Sequence, residues 1–376
     1  MNILVAGDFC QKYRVDEAVR SKQFGKIFDE VKSIIESADY SIVNFEFPIV
    51  LDSKIAKPIQ KCGPNLKGTI EAVEAIKYAG FKCCTLANNH ILDQGDQCCL
   101  DTKIELEKAS IDTVGAGKNI EEASKILYKE INGEVLALIN CCEHEFSIAT
   151  DTSAGANPLN PIAQYYKIQE ARKNADYVIV IVHGGIEHYQ LPSPRMQDTY
   201  RFFIEVGADT VVNHHQHCYS GYEIYKGKPI FYGLGNFLFD RLNTRNSIWN
   251  EGYVVKLSLR SGNVDYQLLP YKQCNETTSV NFMNEEENER FYHKINELNE
   301  IIKDDNLLKE KISAFFNSND VLYRMALEPY SNRYARALWK RGFLPSFLTE
   351  DRILLLQNFI TCESHYERMV HQLKRI

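Results

Sequence analysis

One recurring placement constrains this chain more than any other feature of its sequence. Several short apolar runs are each followed by a chemically active residue. Asp8 comes after Ile3 to Ala6, Glu46 after Ser41 to Phe45, Asn88-Asn89-His90 after Lys82 to Leu86, His183 after Tyr177 to Val182, and His214-His215-Gln216-His217 after Thr210 to Asn213. These runs, with Val135 to Asn140 and Ile230 to Leu234, read as strands buried on both faces. Between them Thr69 to Tyr78 carries Ile70, Val73 and Ile76 at helical spacing and stops at Ala79-Gly80. Strand, helix, strand in that order predicts a layered α/β fold, in which the carboxyl ends of the strands form one rim.

The set that converges there holds two carboxylates, an amide oxygen and up to four imidazoles, and seven of the ten histidines lie between His90 and His217. Zinc, manganese and iron favour such donors. Taken singly, Asp8 reads equally as a turn cap, Asn88-Asn89 and Asp93-Gln94-Gly95 as turn formers, and His183 as a core histidine. Glu46 is different, because a carboxylate between Phe45 and Phe47 is costly to bury without a partner. His215 and His217, one residue apart after a buried strand, have few structural uses. Together these residues predict one or two divalent metal ions.

Nineteen of the twenty glycines lie at or before Gly262, so the chain changes character near residue 275. This predicts a catalytic domain over 1–275 and a helical extension over 276–376. In the extension Phe291, Ile295, Leu298 and Ile302 recur at helical steps, as do Ile353, Leu356 and Ile360 after a Thr349 N-cap. Pro329 and Pro345 should divide it into about three helical pieces. Arg333, Arg336, Lys340 and Arg341 read as a solvated basic face or a phosphate contact.

The formal net charge of -7 implies no broad basic face, so nucleic acid is not an expected partner. The eleven cysteines are odd in number, include the pairs Cys83-Cys84, Cys98-Cys99 and Cys141-Cys142, and form no CxxC. They read as small buried hydrophobes in a reducing compartment. No secretory pattern precedes the first strand, and no apolar run approaches the roughly 20 residues of a membrane span, so a cytoplasmic protein without direct membrane insertion is expected.

Longer motifs carry a resemblance. Val5-Ala6-Gly7-Asp8, Asn44-Phe45-Glu46-Phe47-Pro48, Leu86-Ala87-Asn88-Asn89-His90-Ile91-Leu92-Asp93-Gln94-Gly95 and Gly115-Ala116-Gly117 begin the series. His183-Gly184-Gly185-Ile186-Glu187, Gly207-Ala208-Asp209, His214-His215-Gln216-His217 and Leu234-Gly235-Asn236-Phe237 complete it. Over residues 1 to about 260 the chain resembles the bacterial capsule-synthesis or poly-γ-glutamate-synthesis (CapA) family, a branch of the calcineurin-like metallophosphoesterases. The resemblance implies a four-layer α/β/β/α sandwich with the metal site at one rim.

It also implies roles. Glu46 matches the carboxylate bridging two metals and Asp8 a carboxylate on the first. Asn89, His183 and His215 match ligands of the second metal, and His217 a ligand of the first. His90 matches the imidazole beside the leaving oxygen, with Asp93 orienting it. Cys10, Asn88, Glu187, His214 and Asn236 are assigned supporting or substrate contacts. The chain departs from the broad pattern at Cys10, where a histidine is usual and where water or the Cys10 thiolate would stand in on the first metal, at Glu46, where Asp is usual, and at Gln216, where relatives often carry proline. The implied reaction is hydrolysis of a small-molecule or polymer-precursor phosphoester of cell-surface polymer synthesis by metal-activated hydroxide attack. The rivals are a non-hydrolytic accessory protein of a capsule or poly-γ-glutamate synthase, and a metal-dependent amide hydrolase or transferase. The helical extension would serve as a lid, a homodimer surface or a dock for a biosynthetic partner.

Overall fold

A computed structural model of the chain describes residues 1–318, 320–330 and 332–373. In chain order its strands are β1 (Asn2–Cys10), β2 (Tyr40–Phe45), β3 (Cys83–Thr85), β4 (Asp112–Val114), β5 (Ala116–Gly117), β6 (Leu127–Ile131), β7 (Glu134–Cys142), β8 (Gly155–Ala156), β9 (Tyr177–His183), β10 (Thr210–His214), β11 (Tyr222–Tyr225), β12 (Lys228–Phe231), β13 (Asn236–Phe239), β14 (Glu251–Arg260), β15 (Asn263–Gln273) and β16 (Val280–Phe282). The helices of the same region are α1 (Arg14–Arg20), α2 (Phe24–Glu36), α3 (Glu71–Ala79), α4 (Asp96–Lys108), α5 (Ile120–Ala123), α6 (Pro161–Asn174), α7 (Pro194–Glu205) and α8 (Glu285–Lys303).

Two sheets form the centre. The first runs β16-β15-β14-β1-β2-β3-β4, with β13 parallel to the end of β1, and the second runs β11-β12-β10-β9-β7-β6. Strands β1 to β4 are parallel neighbours, as are β7, β9, β10 and β12, so their carboxyl ends share a rim. Leu4 and Ala6 of β1 and Val43 and Phe45 of β2 pack in one cluster with Ile27, Phe28 and Val31 of α2 and Val73 and Ile76 of α3. Ile3, Val5 and Ile42 alternate with them and are buried on the opposite face. Helices α6 and α7 cover the second sheet, completing the α/β/β/α sandwich. Each fully buried Val, Leu or Ile here stabilises the fold by about 1.5–3 kcal/mol.

Helix α3 ends at Gly80 in the left-handed conformation, φ 92°. The hairpin of β14 and β15 is not among the strands read from the sequence, yet it is the longest pair. Arg260 lies opposite Asn263, and Ser261 and Gly262 both have positive φ, the two-residue turn that suits strand twist. The apolar run expected to extend to Leu234 ends as β12 at Phe231, because the chain then leaves the second sheet through Gly233 and Gly235 to reach the first. None of the eleven cysteines is disulfide-bonded, and nine of them are buried.

Contacts divide the chain into Met1–Lys309 and Glu310–Ile376. Helix α8 therefore belongs with the sandwich, beyond the compositional break near 275. The rest of the tail holds α9 (Asp305–Ser318), which spans the division, α10 (Asp320–Leu327), α11 (Arg333–Lys340), α12 (Glu350–Thr361) and α13 (Glu363–Leu373). About three helical pieces were expected from residue 276 onward, and the described residues form six. One extra break lies at Asp304, whose carboxylate accepts from the N–H groups of Asn306 and Leu307 and starts a new helix. Thr349 caps α12 as expected, accepting from Arg352 N–H at 3.3 Å. Among the described residues no helix is long and apolar enough to cross a membrane.

Candidate metal centre

Backbone geometry at the rim follows from two glycines. A β-carbon on Gly7 would lie 1.8 Å from the carbonyl oxygen of Gly235, so only glycine lets these two strand segments meet. Their contact places Asp8 beside Asn236 in the parallel register of β1 and β13. On the second sheet Asn213 is buried and donates to the carbonyls of Gly184, His214 and Tyr232, while its own oxygen accepts from Tyr200. Asn213 thus fixes the turn that delivers His215 and His217. Both histidines have positive φ, 90° and 55°, a strain of about 1–3 kcal/mol each that the surrounding structure must hold.

Two groups of potential ligands result, Glu46 with His183 and His215, and Asp8 with Glu46 and His217. All five side chains are buried, and Glu46 is common to both groups. In the first, His183 Nε2 lies 3.0 Å from His215 Nδ1, 3.0 Å from Asn89 Oδ1 and 3.7 Å from Glu46 Oε1. Asn89 Nδ2 donates to Glu145 at 2.7 Å, which turns the amide oxygen toward His183. Burial, then the charge on neighbouring imidazoles, lowers the pKa of both His183 and His215, so both rings stay neutral and keep lone pairs.

In the second group His217 Nε2 lies 3.7 Å from Glu46 Oε1, and His217 Nδ1 lies 3.6 Å from Asp8 Oδ2. Asn236 sets the tautomer. Its Nδ2 donates to the carbonyls of His217 and Trp249, so its oxygen accepts from His217 Nδ1 at 2.9 Å and leaves Nε2 free. Asp8 accepts from Asn44 Nδ2 at 2.7 Å and from the His215 N–H at 3.3 Å. Burial alone would raise its pKa, but His217 and the other imidazoles outweigh that and hold it well below the usual carboxylate range.

Glu46 tests whether these residues suit a cation. Its side chain is wholly buried, and neither carboxylate oxygen has a hydrogen-bond partner. Burial, reinforced by Asp8 and Glu187, pushes its pKa well up. An orphaned carboxylate facing lone pairs on three imidazoles is what a positive ion would satisfy, and the donor set fits a borderline divalent metal.

His90 stands beside this centre. Its Nδ1 lies 2.6 Å from Asp93 Oδ2 and 3.0 Å from Lys61 Nζ, and Lys61 is ion-paired with Asp93. Burial lowers the pKa of His90 and the Asp93 hydrogen bond opposes it. Asn88 ties the segment to β2 by donating to the Phe45 carbonyl and accepting from the His90 N–H. Glu187 is half exposed on the rim and His214 is buried outside both ligand groups. Cys10, considered from sequence as a stand-in ligand, joins neither group. It packs in the core cluster of the first sheet, where burial, reinforced by Glu46, pushes its thiol pKa well up.

Four supporting residues escaped the sequence reading: Asn44, Lys61, Glu145 and Asn213. Asn44 sits inside a motif that was quoted for Glu46. Lys61 and Glu145 lie on irregular segments with no periodic signal.

The model of the family described as bacterial capsule synthesis protein PGA_cap matches residues 2–241. The capsule biosynthesis protein CapA of Bacillus anthracis is 35% identical over 253 residues, 65% of this chain and 61% of that protein. The PGA biosynthesis protein CapA of Bacillus subtilis (strain 168) is 34% identical over 242 residues, 64% of this chain and 63% of that protein. The chain thus matches less than two thirds of the length of either relative. Among solved structures, a hypothetical protein from Thermus thermophilus aligns over 72% of this chain and 99% of its own, with TM-score 0.47 and 16% identity. Both ligand groups fall within the matched residues 2–241, and the chain belongs to the bacterial capsule synthesis protein PGA_cap family.

Proposed function

We propose that the protein is a metal-dependent phosphoester hydrolase acting on a phosphorylated intermediate of capsule or related polymer synthesis. The observation that carries this reading is Glu46, buried, unpartnered and shared by two ligand groups. Asp8, Glu46 and His217 would hold one divalent ion, and Glu46, Asn89, His183 and His215 a second. Ions held by these residues would supply an acidified water and neutralising charge for the oxygens of a phosphoryl group.

The chain's own residues supply the remaining parts. His90 Nδ1 is held by Asp93, so Nε2 is the ring nitrogen free to carry a proton toward a leaving oxygen. Asp93 favours the protonated ring, while Lys61 neutralises Asp93 and fixes its orientation. The names of the two CapA relatives support placement in capsule or PGA biosynthesis.

The test is elemental analysis of protein purified without chelator, paired with hydrolysis of an aryl phosphate with and without manganese. About two metals per chain and metal-dependent turnover are expected. His215→Ala should lose metal and turnover together. No metal and no turnover after manganese is supplied would overturn the reading.

A further inference from the structure

A cavity of about 190 Å³ opens beside His90 and His217, and Lys12, Glu187, Arg241 and Trp249 contribute to its wall. Strand register explains its two cations. Cys10, the last residue of β1, lies opposite Phe239, the last of β13, and two residues beyond each strand end the chain presents Lys12 and Arg241. Both face the same space.

The charges around it do not cancel locally. Asp240 also lines the cavity, but Arg14 engages both of its oxygens, at 2.9 and 3.0 Å, and Arg245 adds a contact at 3.5 Å. Among the described residues no carboxylate pairs with Lys12 or Arg241. Lys12 Nζ sits 5.0 Å from the Tyr13 ring centre. The Arg241 guanidinium sits 5.0 Å from the Trp249 ring and 3.3 Å from His188 Nε2. Stacking on an indole sets the plane of a guanidinium and leaves its N–H edge open to an oxyanion. Glu187, the other acid in the wall, lies 3.9 Å from His188 Nε2.

We propose that this cavity binds a second anionic group of the substrate, a carboxylate or a phosphate carried beyond the reacting ester, through Lys12 and Arg241. The site rests on the hydrolase reading only for what lies next to it. Its volume equals that of about six waters, room for one oxyanion on a short linker. A substrate with a single phosphoester and no other charge would leave both cations unused.

Calorimetry on the full chain as purified tests this, with pyrophosphate and glutarate as probes against wild type and a Lys12→Gln/Arg241→Gln double variant. Lys12 is half-buried and Arg241 exposed, both outside the core, so the variant retains the fold. One probe should bind wild type and lose at least about tenfold in affinity in the double variant. Tighter binding of pyrophosphate would identify the group as phosphate, and tighter binding of glutarate as carboxylate. Equal affinity in wild type and variant, or no binding by either probe up to about 10 mM, would overturn the inference. The same preparations are assayed for metal and aryl phosphate turnover. Turnover with no dependence of binding on Lys12 and Arg241 defeats this inference alone, whereas dependent binding without metal or turnover defeats the hydrolase reading alone.

Discussion

Glu328 in the unit Glu310–Ile376 and Glu46 in the sandwich are both buried, and their surroundings are opposite. The Glu328 carboxylate accepts from the Ser346 hydroxyl and from the Phe347 N–H at 2.9 Å, two neighbours on the loop that precedes α12. The Glu46 carboxylate accepts nothing and faces His183 and His217. A carboxylate buried for structure is given donors by its own fold, because leaving it bare costs about 1–3 kcal/mol or more. One buried bare among imidazoles is held ready for charge from outside. The contrast extends to the apolar surface. The sandwich buries a continuous apolar core that includes Phe9, Phe45 and Tyr271, whereas α12 exposes Leu354, Leu355 and Ile360, and α11 has no buried residue.

The largest effect should come from Glu46 itself. Glu46→Gln keeps the shape and removes the charge, so metal-dependent turnover should fall by about a thousandfold or more. The same change should raise the melting temperature of metal-free protein at neutral pH, since folding no longer has to protonate this carboxylate or bury its charge. Adding metal should stabilise wild type but not the variant. If metal-free Glu46→Gln melts below wild type, Glu46 has a structural partner and the contrast with Glu328 collapses.

His90→Ala comes next. With Asp8, Glu46 and His217 untouched, metal content should stay near wild type while turnover falls by about a hundredfold or more. Full activity would remove His90 from the reaction.

How much of this was legible beforehand follows from physical range. The parallel strands were, because burial on both faces writes continuous apolar runs such as Val178 to Val182, and the residues past those runs land on one rim. The β14–β15 hairpin was not, since its strands mix apolar and polar residues and write no continuous apolar run on either side of the Ser261-Gly262 turn pair. Glu46 and the histidines announced themselves by cost. Lys61 and Glu145 did not, because a lysine or glutamate on an irregular segment looks solvated until the fold brings it to Asp93 or Asn89. Lys12 and Arg241, 229 residues apart, line one cavity only because β1 and β13 end side by side. Cys10 misled for a related reason. The resemblance, which has a histidine at its place, suggested a ligand, but the register of β1 shifts on both sides of Asp8, and Cys10 packs in the core cluster.

Lys61 sharpens the comparison on the sandwich side. Its side chain and that of Asp93 are almost wholly buried as an ion pair. Lys61→Met should destabilise the fold by about 3 kcal/mol, because Asp93 is left as an uncompensated buried charge. Adding Asp93→Asn should recover part of that stability without restoring turnover. Recovery of turnover in the double variant would show that the pair only supports packing.

The smallest expected effect belongs to Glu328. Glu328→Ala removes two local hydrogen bonds, so amide exchange at Phe347 should quicken by about tenfold, in line with a loss of about 1–2 kcal/mol. Metal content and turnover should not change. The sign with pH is also set. Burial pushes its pKa up, but the Ser346 and Phe347 hydrogen bonds prevail and bring it below its ordinary value of 4.5. Its contribution is therefore complete above that value and disappears as pH falls through the lowered pKa. Wild type and Glu328→Ala should then differ in Phe347 exchange at neutral pH and converge in acid. Glu46, with a raised pKa and no hydrogen-bond donors, cannot show that pattern. Equal exchange at neutral pH would mean that Glu328, like Glu46, is buried for something other than its neighbours.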